Sequence, residues 1–250
     1  MEPIERALAR IRMERGARER PGVTLTYAQS LDGSISASRG RHLALSGPES
    51  ARMTHQLRAA HDAILVGIGT VLSDDPRLNV RLVEGKNPRP VVLDSQLRTP
   101  LGANLLKGLP GHGRPPLIVA TERVPVRRAA ALESAGAQVL RLPSGEDGHV
   151  SLPALLQRLP ALGIGSLMVE GGAAVITSFL SQRLVDFFLL TIAPVLVGGL
   201  RAVGDLPEGG SGPAARSFPR LRDWDCARLG DDLVIWGQPA WLDGTAALPA

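Results

Sequence analysis

What most restricts the fold of this chain is a rhythm. Short apolar runs at 63–66, 89–94, 115–120, 138–142 and 166–170 are separated by longer stretches, with helices expected at 127–135 and 152–159. Antiparallel neighbours can be closed by a two-residue turn, whereas parallel neighbours need a crossover of about a dozen residues or more. The rhythm therefore predicts a largely parallel sheet covered by helices on both faces. Residues 23–30 (VTLTYAQS) alternate with period two and close on Leu31-Asp32-Gly33, which reads as a first core strand and its turn, with Asp32 a turn former. A helix opens at Gly47-Pro48-Glu49-Ser50 and runs to about Ala60, with proline and an acid in its first turn. Beyond a further helix at 174–182 the rhythm changes. Residues 185–192 run into Ala193-Pro194-Val195-Leu196, and 223–228 pairs with 231–236 across Leu229-Gly230. The predicted class is α/β: a mixed, mostly parallel sheet, helices on both faces, and a C-terminal antiparallel hairpin.

The 250 residues suffice for one domain with a real core. Its expected limits are 21–238, preceded by a helical extension at 1–20 and followed by a flexible tail at 239–250. Residues 3–20 read as a basic amphipathic helix, with Ile4, Leu8 and Ile11 on one face. Aromatic content of 3% and a net charge of +4 argue against a nucleic-acid binder, which interleaves a basic patch with stacking rings. No apolar run approaches the roughly 20 residues needed to cross a bilayer, and the charged start lacks the apolar core of a signal peptide. Cys226 is the single cysteine, which excludes an intramolecular disulfide and a cysteine metal site. It reads as a small buried hydrophobe, in a chain expected in the cytoplasm. The loop at 34–46, with Arg39, Arg41 and His42, reads as solvated, and 200–219 as a long loop.

Ligand chemistry concentrates at two turns. The stretch 63–81 (AILVGIGTVLSDDPRLNVR) delivers a strand into Gly67-Ile68-Gly69, and Glu170-Gly171-Gly172 ends another strand ahead of a helix. Backbone amides exposed at such turns suit an anion. Paired glycines also let a strand pack closely, and on spacing alone that reading leads for Gly67 and Gly69. Ligands in open α/β sheets sit at strand carboxyl ends, and Arg58 and Arg81 flank the first turn, so the set suits two anionic groups bound side by side. The dinucleotide pattern G-x-G-x-x-G fails, since Leu72 stands three residues after Gly69. No nucleophile elbow, H-E-x-x-H or histidine cluster appears, and no metal site is expected.

Five phrases in order, Ser30-Leu31-Asp32-Gly33, Val66-Gly67-Ile68-Gly69-Thr70 with Asp74-Asp75-Pro76-Arg77-Leu78, Leu93-Asp94-Ser95, Val169-Glu170-Gly171-Gly172 and Ala193-Pro194-Val195-Leu196, resemble the pyrimidine reductases of riboflavin biosynthesis. The likeness covers about 21–237 and is nearest the free-standing archaeal form, with no deaminase domain ahead of it. It implies a dihydrofolate-reductase-like fold, a homodimer, and NADPH reduction of a ribosylaminopyrimidine 5′-phosphate to its ribitylamino form. By that resemblance the cofactor meets Ala28, Thr70, Asp74, Ser95, Gly172, Ala173, Ala174, Val175, Ile176 and Thr177. The substrate meets Arg58, Leu78, Arg81 and Glu170, with Glu170 the catalytic candidate, holding the pyrimidine amino groups or relaying a proton. Thr26 and the loop at 42–44 depart from the bifunctional bacterial relatives. A pteridine or dihydrofolate reductase of the same fold, and a nucleotide-binding protein without turnover, are the alternatives.

Overall fold

The computed structural model describes residue 9 and residues 19–41, 43–107, 114–206 and 218–241. Strand β1 (Gly22–Ser30) lies inside a nine-stranded sheet. Its parallel neighbours are β7 (Ser166–Val169) on one side and β8 (Phe187–Ala193) on the other. Beyond β7 the parallel order continues through β3 (Ala63–Gly67), β4 (Arg89–Leu93), β5 (Leu117–Thr121) and β6 (Gln138–Leu142). Beyond β8 the sheet becomes antiparallel through β11 (Asp232–Ala240) to the edge strand β10 (Arg220–Leu229). The expected class therefore holds, including its terminal hairpin.

Two apolar cores sandwich the sheet, because successive strand residues point to opposite faces. Ile64 and Val66 join Met53 and Leu57 of α1 (Pro48–Ala60), Ile68 and Val71 of α2 (Ile68–Asp74), and Leu132 of α3 (Val126–Ser134). Leu65 and Val169 face the other way, onto Leu155 of α4 (Leu152–Arg158) and Ile176 and Phe179 of α5 (Ala173–Ser181). Connections running from β1 toward β6 thus cross one face and the returning ones cross the other, as right-handed crossovers require. The direction reverses between β3, which leads to β4, and β7, which leads back across β1 to β8. That boundary is the topological switch point, where open α/β sheets bind their ligands.

Several expectations need correction. The loop at 34–46 begins with a short strand, β2 (Ser34–Ser36), paired antiparallel with β9 (Leu200–Arg201) in a second sheet. Asp32 holds this corner: it accepts from Ser30 Oγ (2.7 Å), Ser34 Oγ (2.8 Å) and the amides of Val197 (2.8 Å) and Gly198 (2.7 Å). Those four donors hold its carboxyl well below the usual range. Cys226 is exposed rather than buried, on β10 at the end of the strand order. Strand β11 continues through Pro239 and Ala240, which pair with Leu221 and Arg220 where the tail was expected to begin. The expected helix at 3–20 (apart from residues 9, 19 and 20), His42, and the tail from 242 lie outside the described residues.

Candidate active site

Strand β3 passes into α2 without a loop, Gly67 being both its last residue and the helix N-cap. Glu170 and Gly171 join β7 to α5, whose N-cap is Gly172. Neither glycine supplies a capping side chain, so the first amides of both helices stay available. Since α2 and α5 lie on opposite faces, the two turns flank the crevice from either side. They adjoin: a Cβ added at Gly172 would stand 4.0 Å from Thr70 Oγ1. At Gly69 it would meet nothing within 4 Å. This open main chain fits close approach by a phosphate or a flat ring, as a dinucleotide cofactor requires. Gly67 and Gly171 are packing positions instead, since a Cβ there would come 2.9 Å from Val175 Cγ2 and 2.5 Å from Val175 Cβ respectively. Close packing therefore holds at Gly67 and Gly171, whereas Gly69 leaves its main chain open.

Beside the turns, Glu170 forms a bidentate pair with Arg58 of α1. Arg58 Nε donates to Oε2 at 3.0 Å and Nη2 to Oε1 at 2.6 Å. Arg58 Nη1 also donates to the Asn79 carbonyl (3.2 Å), so this buried side chain is committed on three sides. Arg81 is exposed and donates to Asn79 Oδ1 (3.3 Å). Desolvation and the guanidiniums of Arg58 and Arg77 lower its pKa, with Glu170 opposing. With Arg58, Arg77 and Arg81 against Glu170, the cluster carries a positive excess. His55, one turn before Arg58 on α1, is buried and accepts the Arg81 amide at Nδ1 (3.0 Å). Burial first, then Arg58 and Arg81, bring its pKa down to about 4.

The remaining expected residues are distributed around this centre. Ala28 lies on the part of β1 that extends past the end of β7, whose pairing stops at Leu25. Ser95 follows β4, its Oγ accepting the Val150 amide (3.1 Å). Asp74 closes α2 on the exposed surface. In α5, Ala173 and Ala174 lie in its first turn, and Thr177 Oγ1 accepts the Gly204 amide (2.8 Å). Ile176 is fully buried and Leu78 is 2% exposed, both in the cores, so only their backbone faces outward chemistry. Leu78 also has φ +52°, and Asp75 φ +40°, so the segment after α2 turns sharply twice. Sequence reasoning missed His55, Arg77 and Asn79. A concavity of about 540 Å³ lined by Arg89, Arg114 and Gln138 opens at the opposite, amino-terminal ends of β4 to β6. Among the described residues no group of three His, Cys, Asp or Glu is placed to hold a metal, and no helix is long and apolar enough to cross a membrane.

Residues 21–235 match the family described as the RibD C-terminal domain. The chain belongs to that family. Within the RibD C-terminal domain family, it is 41% identical over 204 residues to the 2,5-diamino-6-ribosylamino-4(3H)-pyrimidinone 5′-phosphate reductase of Debaryomyces hansenii, covering 74% of this chain and 80% of that protein. To the reductase of the same name from Methanothermobacter thermautotrophicus it is 39% identical over 219 residues, covering 86% and 97%. The solved riboflavin biosynthesis reductase Rib7 of Saccharomyces cerevisiae superposes with a TM-score of 0.71 at 31% identity, covering 90% of this chain and 92% of that one. The matched span begins at Pro21 and takes in both glycine turns, Arg58, Arg81 and Glu170.

Proposed function

We propose that the protein is an NADPH-dependent oxidoreductase of riboflavin biosynthesis that reduces a ribosylaminopyrimidine 5′-phosphate to its ribitylamino form. The observation that carries the reading is Arg81 and the Arg58–Glu170 pair standing beside two uncapped helix N-termini at the sheet's switch point. Relatives named as reductases of such a compound support it.

The cofactor is assigned to the open turns, with Thr70, Asp74 and the segment 172–177, and with Ala28 and Ser95 at the neighbouring strand ends. Helix N-terminal amides complement its phosphates. The nicotinamide, when bound, supplies the hydride that C1′ of the ring-opened ribosylamine accepts. Arg81 is assigned to the substrate phosphate, with the charge of Arg58 behind it and the Leu78 backbone alongside. Glu170 accepts both of its short bonds from Arg58, so it meets the pyrimidine amino groups as a fixed acceptor. These residues act by holding C1′ in line and surrounding the substrate's charge. The catalytic unit begins at residue 21 and runs to the end of β11, acting in the cytoplasm as a homodimer. The β10 edge of the sheet, with Trp224 60% exposed, is a surface a second copy would cover.

The test is cofactor oxidation with the diaminopyrimidinone phosphate, its deaminated uracil counterpart and dihydrofolate, each with NADPH and NADH. Turnover of either pyrimidine with NADPH is expected. Oxidation confined to dihydrofolate, or cofactor binding without oxidation on any of the three, would replace this reading with one of the alternatives.

A further inference from the structure

Helix α1 presents one stripe to the segment that carries Arg81, and each residue of the stripe holds one point of it. Arg52 Nη1 donates to the Leu82 carbonyl (3.3 Å), the Arg81 amide donates to His55 Nδ1 (3.0 Å), and Arg58 Nη1 donates to the Asn79 carbonyl (3.2 Å). Residues three apart lie on one helix face, so 52, 55 and 58 form a row. The segment runs antiparallel along that row. From its far side Asn87 Oδ1 accepts the Val80 amide (2.7 Å). Gly85 completes the docking, since a Cβ there would come 2.5 Å from Ala59 Cβ.

His55 differs from its neighbours in the row. Arg52 is exposed, and Arg58 is mainly engaged with Glu170. His55 is 3% exposed and its Nδ1 takes a backbone N–H, so the ring is neutral with its proton on Nε2. A charged ring at this place would face two guanidiniums and could not accept the bond. Its bond also falls at the residue whose guanidinium is assigned to the substrate phosphate. A single backbone hydrogen bond there sets where that side chain starts.

We propose that His55 is a positioning residue for phosphate recognition: as a neutral acceptor it latches the Arg81 backbone to the helix carrying Arg58, and so sets the separation of the two guanidiniums. The proposal rests on the reductase reading above. His55, buried on α1, acts through the Arg81 backbone.

His55→Leu removes the acceptor, whereas His55→Asn places an amide oxygen near the position of Nδ1. Two measurements decide the matter. In the first, His55→Leu raises the KM for the pyrimidine phosphate about tenfold, with kcat and NADPH affinity changed less than about twofold, and His55→Asn recovers most of the loss. An unchanged KM, or equal losses in KM, kcat and cofactor affinity, overturns the proposal. The second is amide hydrogen exchange without substrate. Arg81 is expected to be protected in the parent and in His55→Asn, and to exchange at least about tenfold faster in His55→Leu while β1 and β3 stay protected. Equal protection of Arg81 in all three proteins overturns the latch. Absence of pyrimidine turnover in the parent strikes the reductase reading alone, and the exchange measurement then decides the latch by itself.

Discussion

Arg58 and Arg81 are both arginines beside one crevice, yet their surroundings give them different work. Arg58 is buried and forks onto Glu170, so truncating it leaves a carboxylate without its cation. Losing one partner of such a pair is costlier than losing an exposed charge. Arg58→Ala is therefore expected to lower stability by about 1–3 kcal/mol, moderated because Glu170 is partly solvated. Arg81→Ala should stay within about 0.5 kcal/mol of the parent while raising the pyrimidine phosphate KM at least about tenfold. Urea midpoints and initial rates measured on the two variants check this, and an Arg81→Ala enzyme with unchanged KM would remove Arg81 from the phosphate site. The two arginines stand out in the sequence because they flank a glycine turn. His55 does not, since a single histidine in an amphipathic helix has no pattern of its own. Its meaning depends on an amide 26 residues further on.

At the scale of elements, Val175 of α5 locks the two glycine turns together. At Gly67 an added methyl meets only the Cγ2 atom of Val175, at 2.9 Å. At Gly171 it meets the Cβ at 2.5 Å and Cγ1 at 2.6 Å. Gly67→Ala should thus cost about 1–3 kcal/mol and be largely relieved by adding Val175→Ala, which removes the colliding atom. Gly171→Ala should cost at least as much and gain little from Val175→Ala, because the obstructing Cβ remains. Thermal unfolding of the parent, the three single variants and the two double variants tests the contrast, and equal relief at both glycines would refute it. Elements whose partners are close in sequence were readable beforehand: the Arg220–Leu229 and Asp232–Ala240 hairpin announces itself by its turn. The pairing of Ser34–Ser36 with Leu200–Arg201 was not, because two very short strands far apart in the chain carry no periodicity to detect.

For the whole molecule, stability should follow pH in two windows. His55 has a pKa lowered from 6.5 to about 4 in the folded state, so the unfolded chain binds more protons between those values. The contribution is complete above about pH 6.5 and is lost as pH falls toward 4. Asp32, also lowered, adds a second loss only below its unfolded pKa of 3.8. Urea midpoints are expected to fall between neutral pH and about pH 5, with a flatter profile in His55→Asn. A parent profile flat over that range would contradict the neutral buried ring. The same scale separates what each kind of information decides. The sequence by itself determined the parallel α/β class and the turns where strands end in glycines, because periodicity and turn chemistry act between near neighbours, and its five ordered phrases carried the resemblance to the family. Only the tertiary structure decided that Gly69 is open while Gly67 and Gly171 are filled by Val175, that Arg58 serves Glu170, and that His55 holds Arg81. Those relations arise where burial of both sheet faces brings β7 in between β1 and β3, and no local pattern records the insertion.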